Sequence, residues 1–351
     1  MNKKIALPLV GALFAIISVA LVYFGNPGNM GLCTACFLRD ISGGVGLHSG
    51  PSYIRPEIIG IVIGAMIIAM IRKEFAPKGG SSPATRFIIG ACVMIGALIF
   101  LGCPTRMLLR MAGGDLNALV GLPGFALGIF GGMFFIKKGF TLKRTYNVAK
   151  TDGFSLPFIM VLLLIALLVV PSILSLSEAG PGSMFAPWGI ALGVGLLIGA
   201  VGFVTRLCFV AGIRDSFLFK NFYMLSAFIA LLVVAVIGNI ITGQFNLGWE
   251  NQPVAHGDWL WNFLGLMLVG FGSVLMGGCP FRQVVMAGGG NSDSVAAVFG
   301  MIFGGAIAHN FSLASSPAGI GENGVAGFAV AMALLLVIAV ANTFFNKKGA
   351  N

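Results

Sequence analysis

Two short segments of the chain place a thiol, a proline and a positive charge next to one another. They are "LGCPTR", which ends at Arg106, and "GGCPFR", which ends at Arg282. Proline suits the first position of a helix, because its missing N–H would be unpaired there anyway. A helix N-terminus attracts anions through its free N–H groups and its dipole. The segments therefore predict two anion sites, where Cys103 and Cys279 each precede an arginine by about one helical turn.

A second pair of cysteine segments accompanies the first. "CTACFLRD", from Cys33 to Asp40, aligns without gaps on "CFVAGIRD", from Cys208 to Asp215. The offset between these copies is 175 residues, and that between Cys103 and Cys279 is 176. Two motifs in the same order at nearly the same offset indicate that a whole half of the chain is repeated. In each copy the arginine (Arg39, Arg214) either pairs with the aspartate that follows it or contacts a ligand.

Cysteine is the distinguishing residue of these segments. A thiol is a weak, soft hydrogen-bonding group, and it suits a ligand with a soft sulfur or selenium atom better than a plain oxyanion. The alternative is that cysteine serves only as a small buried apolar residue. We favour that alternative for Cys92, which has no repeated partner, and for Cys36, whose counterpart is Ala211. Arg110 is expected at the membrane interface.

The composition is that of a membrane protein. Hydrophobic residues make up 58% of the chain and charged residues 9%, whereas a soluble domain has about 25% charged residues. The net charge of +10 does not indicate a nucleic-acid partner, because most Lys and Arg residues lie between apolar runs, where they orient a membrane protein. The six cysteines and three histidines form neither the disulfide framework of a small secreted domain nor a zinc-binding pattern.

Apolar runs predict an all-α polytopic membrane protein. A spanning helix needs roughly 17–25 residues, so the first run is a membrane helix and not a cleaved signal peptide. GxxxG spacings such as those at Gly60/Gly64 and Gly195/Gly199 are expected to be helix contacts. The ten predicted spans are 5–24, 57–72, 86–101, 118–136, 154–175, 188–207, 223–242, 260–277, 294–312 and 325–345.

The distribution of positive charge predicts the topology. With the N-terminus cytoplasmic, all Lys and Arg residues fall inside except Arg39, Arg55, Arg106 and Arg110. Each half then holds five spans, an odd number, so the second half enters the membrane the other way up. We expect a first repeat at 1–175, with a basic cytoplasmic loop at 137–153 before its last helix, and an inverted second repeat at 176–351. Four short re-entrant segments that carry the repeated cysteines would meet near the midplane, with both termini cytoplasmic.

At these motifs the chain resembles the YeeE/YedE sulfur-transport family. The residues that carry the resemblance are "CFVAGIRD" at 208–215, "GCPTR" at 102–106 and "GGCPFR" at 277–282. It is most similar to the YedE-like branch, described as candidate selenium transporters. The resemblance implies an inner-membrane protein that takes up a sulfur or selenium compound, such as thiosulfate, past central cysteines. Those cysteines would be Cys33, Cys103, Cys208 and Cys279.

The leading hypothesis is thus a transporter or channel-like facilitator for a sulfur- or selenium-containing anion, not an enzyme. Its partners would be that anion, the lipid bilayer and a cytoplasmic sulfur- or selenium-carrier protein. No Walker A motif is present in the chain, and we expect no cofactor. The rival hypothesis is a membrane thiol–disulfide oxidoreductase that uses Cys33 and Cys36. The expected substrate-binding residues are Cys33, Cys103, Cys208, Cys279, Arg106, Arg282, Arg39 and Arg214.

The charge asymmetry leads to a test of topology. We expect segment 137–153 to be cytoplasmic and segment 243–259, which has no Lys or Arg, to be external. Single cysteines placed in each loop should react accordingly with a membrane-impermeant thiol reagent added to intact cells. The opposite accessibility would contradict the inverted threading.

Overall fold

The computed structural model describes the backbone of residues 3–345 and the side chains of residues 6–344. Lys347 and Lys348, which the charge argument places in the cytoplasm, lie outside these residues. The chain is mostly helical. The helices are α1 Lys3–Tyr23, α2 Thr34–Gly44, α3 Pro56–Ile71, α4 Pro83–Phe100, α5 Pro104–Ala112, α6 Leu116–Lys137, α7 Lys150–Val169, α8 Trp188–Thr205, α9 Phe209–Phe219, α10 Tyr223–Ile241, α11 Trp259–Met276, α12 Pro280–Gly288, α13 Ser292–Asn310 and α14 Gly324–Val340. Strands β1 Lys78–Gly79 and β2 Tyr146–Asn147 form a short antiparallel pair.

Nine helical stretches in the described part of the chain are long and apolar enough to cross a membrane. They confirm a polytopic membrane protein and correspond to nine of the ten predicted spans. The remaining prediction, 57–72, coincides with α3, which is apolar but only 16 residues long. Helix α7 ends at Val169 rather than at residue 175, because Pro171 follows and a residue before proline disfavours helical geometry.

Four short helices interrupt the series of long ones. Helices α2 and α9 have 11 residues each, and α5 and α12 have 9 each. Each begins directly after one of the four repeated cysteines. Helices α5 and α12 start with proline, as the Cys-Pro sequence predicts.

The long helices of residues 1–175 pack against those of residues 176–351. The most extensive contacts join α1 with α10, α3 with α8, α4 with α13, and α6 with α11, and α4 also packs against α11. The two halves of the chain therefore interleave around one core. Helices α2 and α5 lie almost entirely within this core, whereas the second half of α9 is only partly buried.

Glycines allow the close approach of the long helices. A Cβ on Gly60 would lie 2.5 Å from the carbonyl oxygen of Leu192, and one on Gly195 would collide with the carbonyl oxygen of Glu57. Gly128 and Gly300 likewise face backbone of a partner helix. These contacts confirm the predicted role of the GxxxG spacings, since backbones in lipid approach closely only where side chains are small.

Two connecting segments close one end of the molecule. In the segment after α7, the carbonyl oxygens of Pro181 and Met184 accept hydrogen bonds from Arg55, at 3.1 and 2.9 Å. In the segment after α10, the backbone of Gly248 pairs with that of Gly114 and Leu116. Each connection therefore covers the short helices of the first half.

The glycine contacts predict opposite effects at two positions of α8. Gly195→Ala should destabilise the fold by about 1–3 kcal/mol, because overpacking forces the backbone of α3 and α8 apart. Gly193 is the matched control, since nothing lies within 4 Å of its Cβ position. There, alanine should be neutral or stabilising by up to about 1 kcal/mol. Thermal unfolding in detergent measures both, and equal effects would contradict the packing assignment.

Candidate functional site

All four repeated cysteines occupy the same position in their local structures. Cys33, Cys103, Cys208 and Cys279 are the N-cap residues of α2, α5, α9 and α12, each with extended backbone. All four are buried. Each sulfur is therefore held beside the positive end of a short helix dipole, away from water.

Three thiols meet in the first half of the chain, and we call Cys33, Cys36 and Cys103 the first thiol cluster. The Sγ atom of Cys33 lies 2.8 Å from that of Cys36 and 3.8 Å from that of Cys103. The Cys33 sulfur also accepts a hydrogen bond of 3.4 Å from the backbone N–H of Cys36. The fold thus brings together two cysteines that are 70 residues apart in sequence.

Two thiols meet in the second half, and we call Cys208 and Cys279 the second thiol pair. The backbone N–H of Phe209, the first residue of α9, donates to Cys279 Sγ at 3.4 Å. Cys208 directly precedes Phe209 in the chain, so this bond places Cys208 and Cys279 next to each other. Ala211 takes the place of a third thiol, so this pair lacks an equivalent of Cys36.

The turn before each Cys-Pro helix has a specific backbone geometry. Leu101 and Gly277 end the preceding helices, and both adopt the left-handed region, with φ of 62° and 89°. This conformation turns the chain sharply from the long helix to the N-cap cysteine. The next residue is glycine in both copies, and a Cβ there would press against the stem of the motif arginine, at 2.7 Å for Gly102 and 2.9 Å for Gly278.

Arg106 is fully buried and is committed to backbone groups. It donates to the carbonyl oxygens of Asn29 (3.2 Å), Val254 (2.9 Å) and Leu101, the last at very short range. Its Nη1 atom also lies 3.5 Å from Cys36 Sγ. No carboxylate in the described part of the chain forms an ion pair with it, so its charge faces carbonyl dipoles and the first thiol cluster.

Arg282 has the equivalent position in the second half but different surroundings. Its side chain forms no hydrogen bond within the described residues, and its Nη1 atom is buried without a partner. It lies on the first turn of α12, three residues after Cys279, and the residue as a whole is partly buried. A cation that loses hydration without gaining a partner is costly. It is therefore the group at this site that most needs an anionic partner.

The two remaining predicted arginines are paired with aspartate. Arg39 forms an ion pair with Asp40, whose second carboxylate oxygen binds Arg55 at 2.6 Å. All three side chains are buried. Arg214 pairs with Asp215 at 2.8 Å in a half-exposed position. Both arginines therefore pair with the aspartate that follows them, which is one of the two alternatives that the sequence leaves open. Their charges are largely neutralised.

The thiol groups of both halves converge on the middle of α1. The ring of Phe14 packs edge-on against Phe209 at 5.8 Å and against Phe281 at 5.6 Å, just past the second thiol pair. One turn further along, Ser18 faces Gly31, two residues before the first thiol cluster. Four residues of helix span about 6 Å. The two thiol groups therefore lie near successive turns of α1, with an aromatic cluster between α1 and the second pair.

Sequence reasoning missed several functional neighbours of this site. Cys36 was expected to be a buried apolar residue, yet its sulfur belongs to the first thiol cluster. Arg55 was assigned no role, although it completes the buried network of Asp40. Arg110, expected at an interface, is fully buried and pairs with Asp115 at 2.6 Å. The Arg110–Asp115 pair could have been predicted from the sequence, because Asp115 follows Arg110 by only five residues.

One titratable group outside the spans supports the site. Burial lowers the pKa of His256, which keeps its ring neutral near pH 7. Its Nδ1 atom accepts from the backbone N–H of Asp258 at 3.2 Å, so Nε2 carries the proton and donates to the carbonyl oxygen of Ile99 at 2.8 Å. The ring thus stabilises the end of α4 just before Cys103. Among residues 6–344, no group of three or more His, Cys, Asp or Glu side chains is arranged to hold a metal ion.

Part of the chain is similar to a known protein family. Residues 204–346 match a protein-family model described as sulphur transport. The matched segment contains Cys208, Cys279, Arg214 and Arg282. No curated protein matches the chain. Together with the nine candidate membrane-spanning helices, the match supports a membrane transporter of a sulfur compound.

The contrast between the two motif arginines predicts different costs for their removal. Arg106→Ala should destabilise the protein by about 3 kcal/mol or more, since each of three carbonyls left unpaired costs on the order of 1 kcal/mol. Arg282→Ala should leave stability unchanged or raise it, because this side chain has no hydrogen bond to lose. Chemical or thermal unfolding of the two purified variants in one detergent tests this. Equal destabilisation would show that Arg282 also has a structural role.

Proposed function

We propose that this protein takes up a sulfur- or selenium-containing anion across the inner membrane along a path of thiols. Cys33 and Cys103 form its external part, and Cys208 and Cys279 its cytoplasmic part. The main support is the placement of all four repeated cysteines, each of them buried, at the N-caps of short helices. Soft, weak donors at helix N-termini hold a chalcogen anion loosely enough for it to leave again, which transit requires.

The path fits an inverted repeat with re-entrant segments. We propose that residues 1–175 and 176–351 are two halves of opposite orientation and that α2, α5, α9 and α12 dip into the membrane. In this repeat, helices α1 to α7 correspond in order to α8 to α14. The helix contacts support it, because each contact has an equivalent: α1 packs on α10 as α8 packs on α3, and α4 packs on α13 as α11 packs on α6. The equal lengths of the matched short helices support it as well. Irregular backbone at membrane depth is tolerated where protein buries it.

Arg282 is the proposed electrostatic partner of the substrate. Its side chain is partly buried on the first turn of α12 after Cys279, and no carboxylate in the described part of the chain forms an ion pair with it. Arg106 contributes a positive field at the first thiol cluster while it holds the backbone. Arg39 and Arg214 assist through ion pairs that can open when an anion arrives, Arg214 more readily because it is half exposed.

The direction of uptake needs an energy source or a cytoplasmic sink. The membrane potential opposes the entry of an anion by about 2.3 kcal/mol per charge per 100 mV. A cytoplasmic sulfur- or selenium-carrier protein that removes the substrate would supply such a sink. With both termini cytoplasmic, the second thiol pair would deliver the substrate to that partner. The family match favours a sulfur compound, and selenium analogues share its soft chemistry.

An oxidoreductase is the second candidate, favoured by one observation. The sulfurs of Cys33 and Cys36 lie 2.8 Å apart in a Cys-x-x-Cys arrangement at a helix N-terminus, which is typical of redox-active dithiols. Against it, Cys208 and Cys279 repeat the single-thiol motifs without a second Cys36. Net accumulation of labelled thiosulfate, selenite or selenide in proteoliposomes would support transport. Turnover of thiols with no accumulation would support the enzyme.

The thiol path predicts a graded series of cysteine variants. Cys103→Ala and Cys279→Ala should each lower uptake about tenfold to hundredfold, since one unpaired buried polar partner costs about 1–3 kcal/mol. Serine at these positions should retain part of the activity if hydrogen bonding is sufficient. Uptake of labelled thiosulfate into proteoliposomes measures this.

Cys92→Ala is the control for this series. It is buried in α4 and has no repeated counterpart, so its removal should leave uptake nearly unchanged. The path is wrong if the Cys103→Ala, Cys279→Ala double variant, inserted at normal levels, transports like the parent.

A further inference from the structure

Cys36 is the thiol that breaks the correspondence between the two halves. Its counterpart is Ala211, yet the fold places it in the first thiol cluster, 1% exposed. Its sulfur is 2.8 Å from that of Cys33, whereas Cys103 Sγ is 3.8 Å from Cys33 Sγ. We infer that Cys36 is a resolving thiol, which attacks Cys33 when Cys33 has been captured by a compound that contains an S–S bond.

The two thiols share the first turn of one helix. Cys33 is the N-cap of α2, and Cys36 is its third residue. The hydrogen bond from the Cys36 N–H to Cys33 Sγ fixes the N-cap side chain toward the turn. Attack of one sulfur on the other therefore requires no movement of separate elements. Cys103 lies on a different helix, α5, so the same reaction with Cys103 would require α2 and α5 to approach.

The charges around the cluster assign the roles of the two thiols. The guanidinium of Arg106 lies 3.5 Å from Cys36 Sγ, and a thiolate, not a thiol, is the attacking species in disulfide exchange. A nearby cation stabilises that thiolate. Cys33 instead sits at the N-cap, where the proposed function has the substrate arrive. Cys33 is therefore the thiol that is captured, and Cys36 the thiol that resolves it.

The reaction balances with an inorganic polythionate as the oxidant. The Cys33 thiolate attacks a central sulfur of tetrathionate, its S–S bond breaks, and thiosulfate leaves with the electron pair. A thiosulfate group remains bound to Cys33 through a new S–S bond (Cys–S–S–SO3⁻). The Cys36 thiolate then attacks Cys33 Sγ and expels a second thiosulfate. The two cysteines lose two electrons and two protons, and tetrathionate gains the two electrons to become two thiosulfate ions.

The Cys33–Cys36 disulfide would block the proposed thiol path reversibly. A Cys33–Cys36 disulfide removes the first thiol of the proposed path until a dithiol reductant restores it. Without Cys36, the same encounter would leave a bulky anionic adduct at the N-cap of α2. Cys36 thus gives the external half of the molecule a redox-sensitive response to oxidised sulfur compounds. The inference rests on the proposed function only for the route by which these compounds reach Cys33.

Mass spectrometry of the full-length protein in detergent after treatment with tetrathionate tests the inference. The parent should lose the Cys33 and Cys36 thiols to a disulfide and carry no adduct on Cys33. Cys36→Ala should instead retain the thiosulfate adduct (Cys–S–S–SO3⁻) on Cys33. Cys103→Ala should form the Cys33–Cys36 disulfide like the parent. A stable adduct on Cys33 in the parent, a Cys33–Cys103 disulfide formed as fast in Cys36→Ala, or no reaction at all would overturn the assignment.

A second measurement separates this inference from the proposed function. Labelled thiosulfate uptake into proteoliposomes should be lost after tetrathionate treatment of the parent and return with dithiothreitol. In Cys36→Ala the loss should coincide with the adduct on Cys33 and not with a disulfide. Absence of uptake by the untreated parent would contradict the proposed function alone. Full uptake by protein shown to carry the Cys33–Cys36 disulfide would overturn the block.

Discussion

The structure depends on a single constraint: a helix that ends inside an apolar core leaves backbone carbonyls or N–H groups that must find partners. The end of α4 shows how the chain meets it. The carbonyl oxygens of its last turn and of Leu101 receive donors from Ser315, His256, Arg110 and Arg106. These donors come from three separate parts of the chain, since Arg106 and Arg110 both lie on α5. The turn that presents Cys103 is therefore held by the tertiary structure as a whole.

The same constraint distinguishes the two halves of the molecule. At the end of α11, the Met276 carbonyl oxygen accepts from Arg86 and Gln283. That leaves Arg282 without a structural task, whereas Arg106 at the matching position is required by the backbone. A repeated motif has thus diverged into a structural arginine in one half and an unpaired one in the other. The unpaired charge lies in the second half, which also contains the residues that match the family model described as sulphur transport.

The first half differs from the second by its third thiol, Cys36, and by the buried ion pairs next to it. Its buried network of Arg39, Asp40 and Arg55 joins α2 to the segment after α7. Removal of one member of such a network leaves an uncompensated buried charge, so its members are conformationally fixed together. This rigid base holds the first turn of α2, where Cys33 and Cys36 meet. Two thiols that are held in fixed positions can react with each other more readily than two thiols on mobile segments.

The sequence by itself determined the membrane class, nine of the ten spans, the glycine contacts and the helix starts at Cys-Pro, because hydropathy, small-residue spacing and the missing proline N–H are local properties. It also identified Cys33, Cys103, Cys208 and Cys279 through repetition. The orientation of the halves remains a prediction from charge. Only the tertiary structure decided which arginines are paired and which thiols touch. Contacts such as Cys33–Cys103, Arg55–Asp40 and Arg106–Val254 join segments that are apart in sequence. Burial sets the cost of each unpaired group only after the helices have packed.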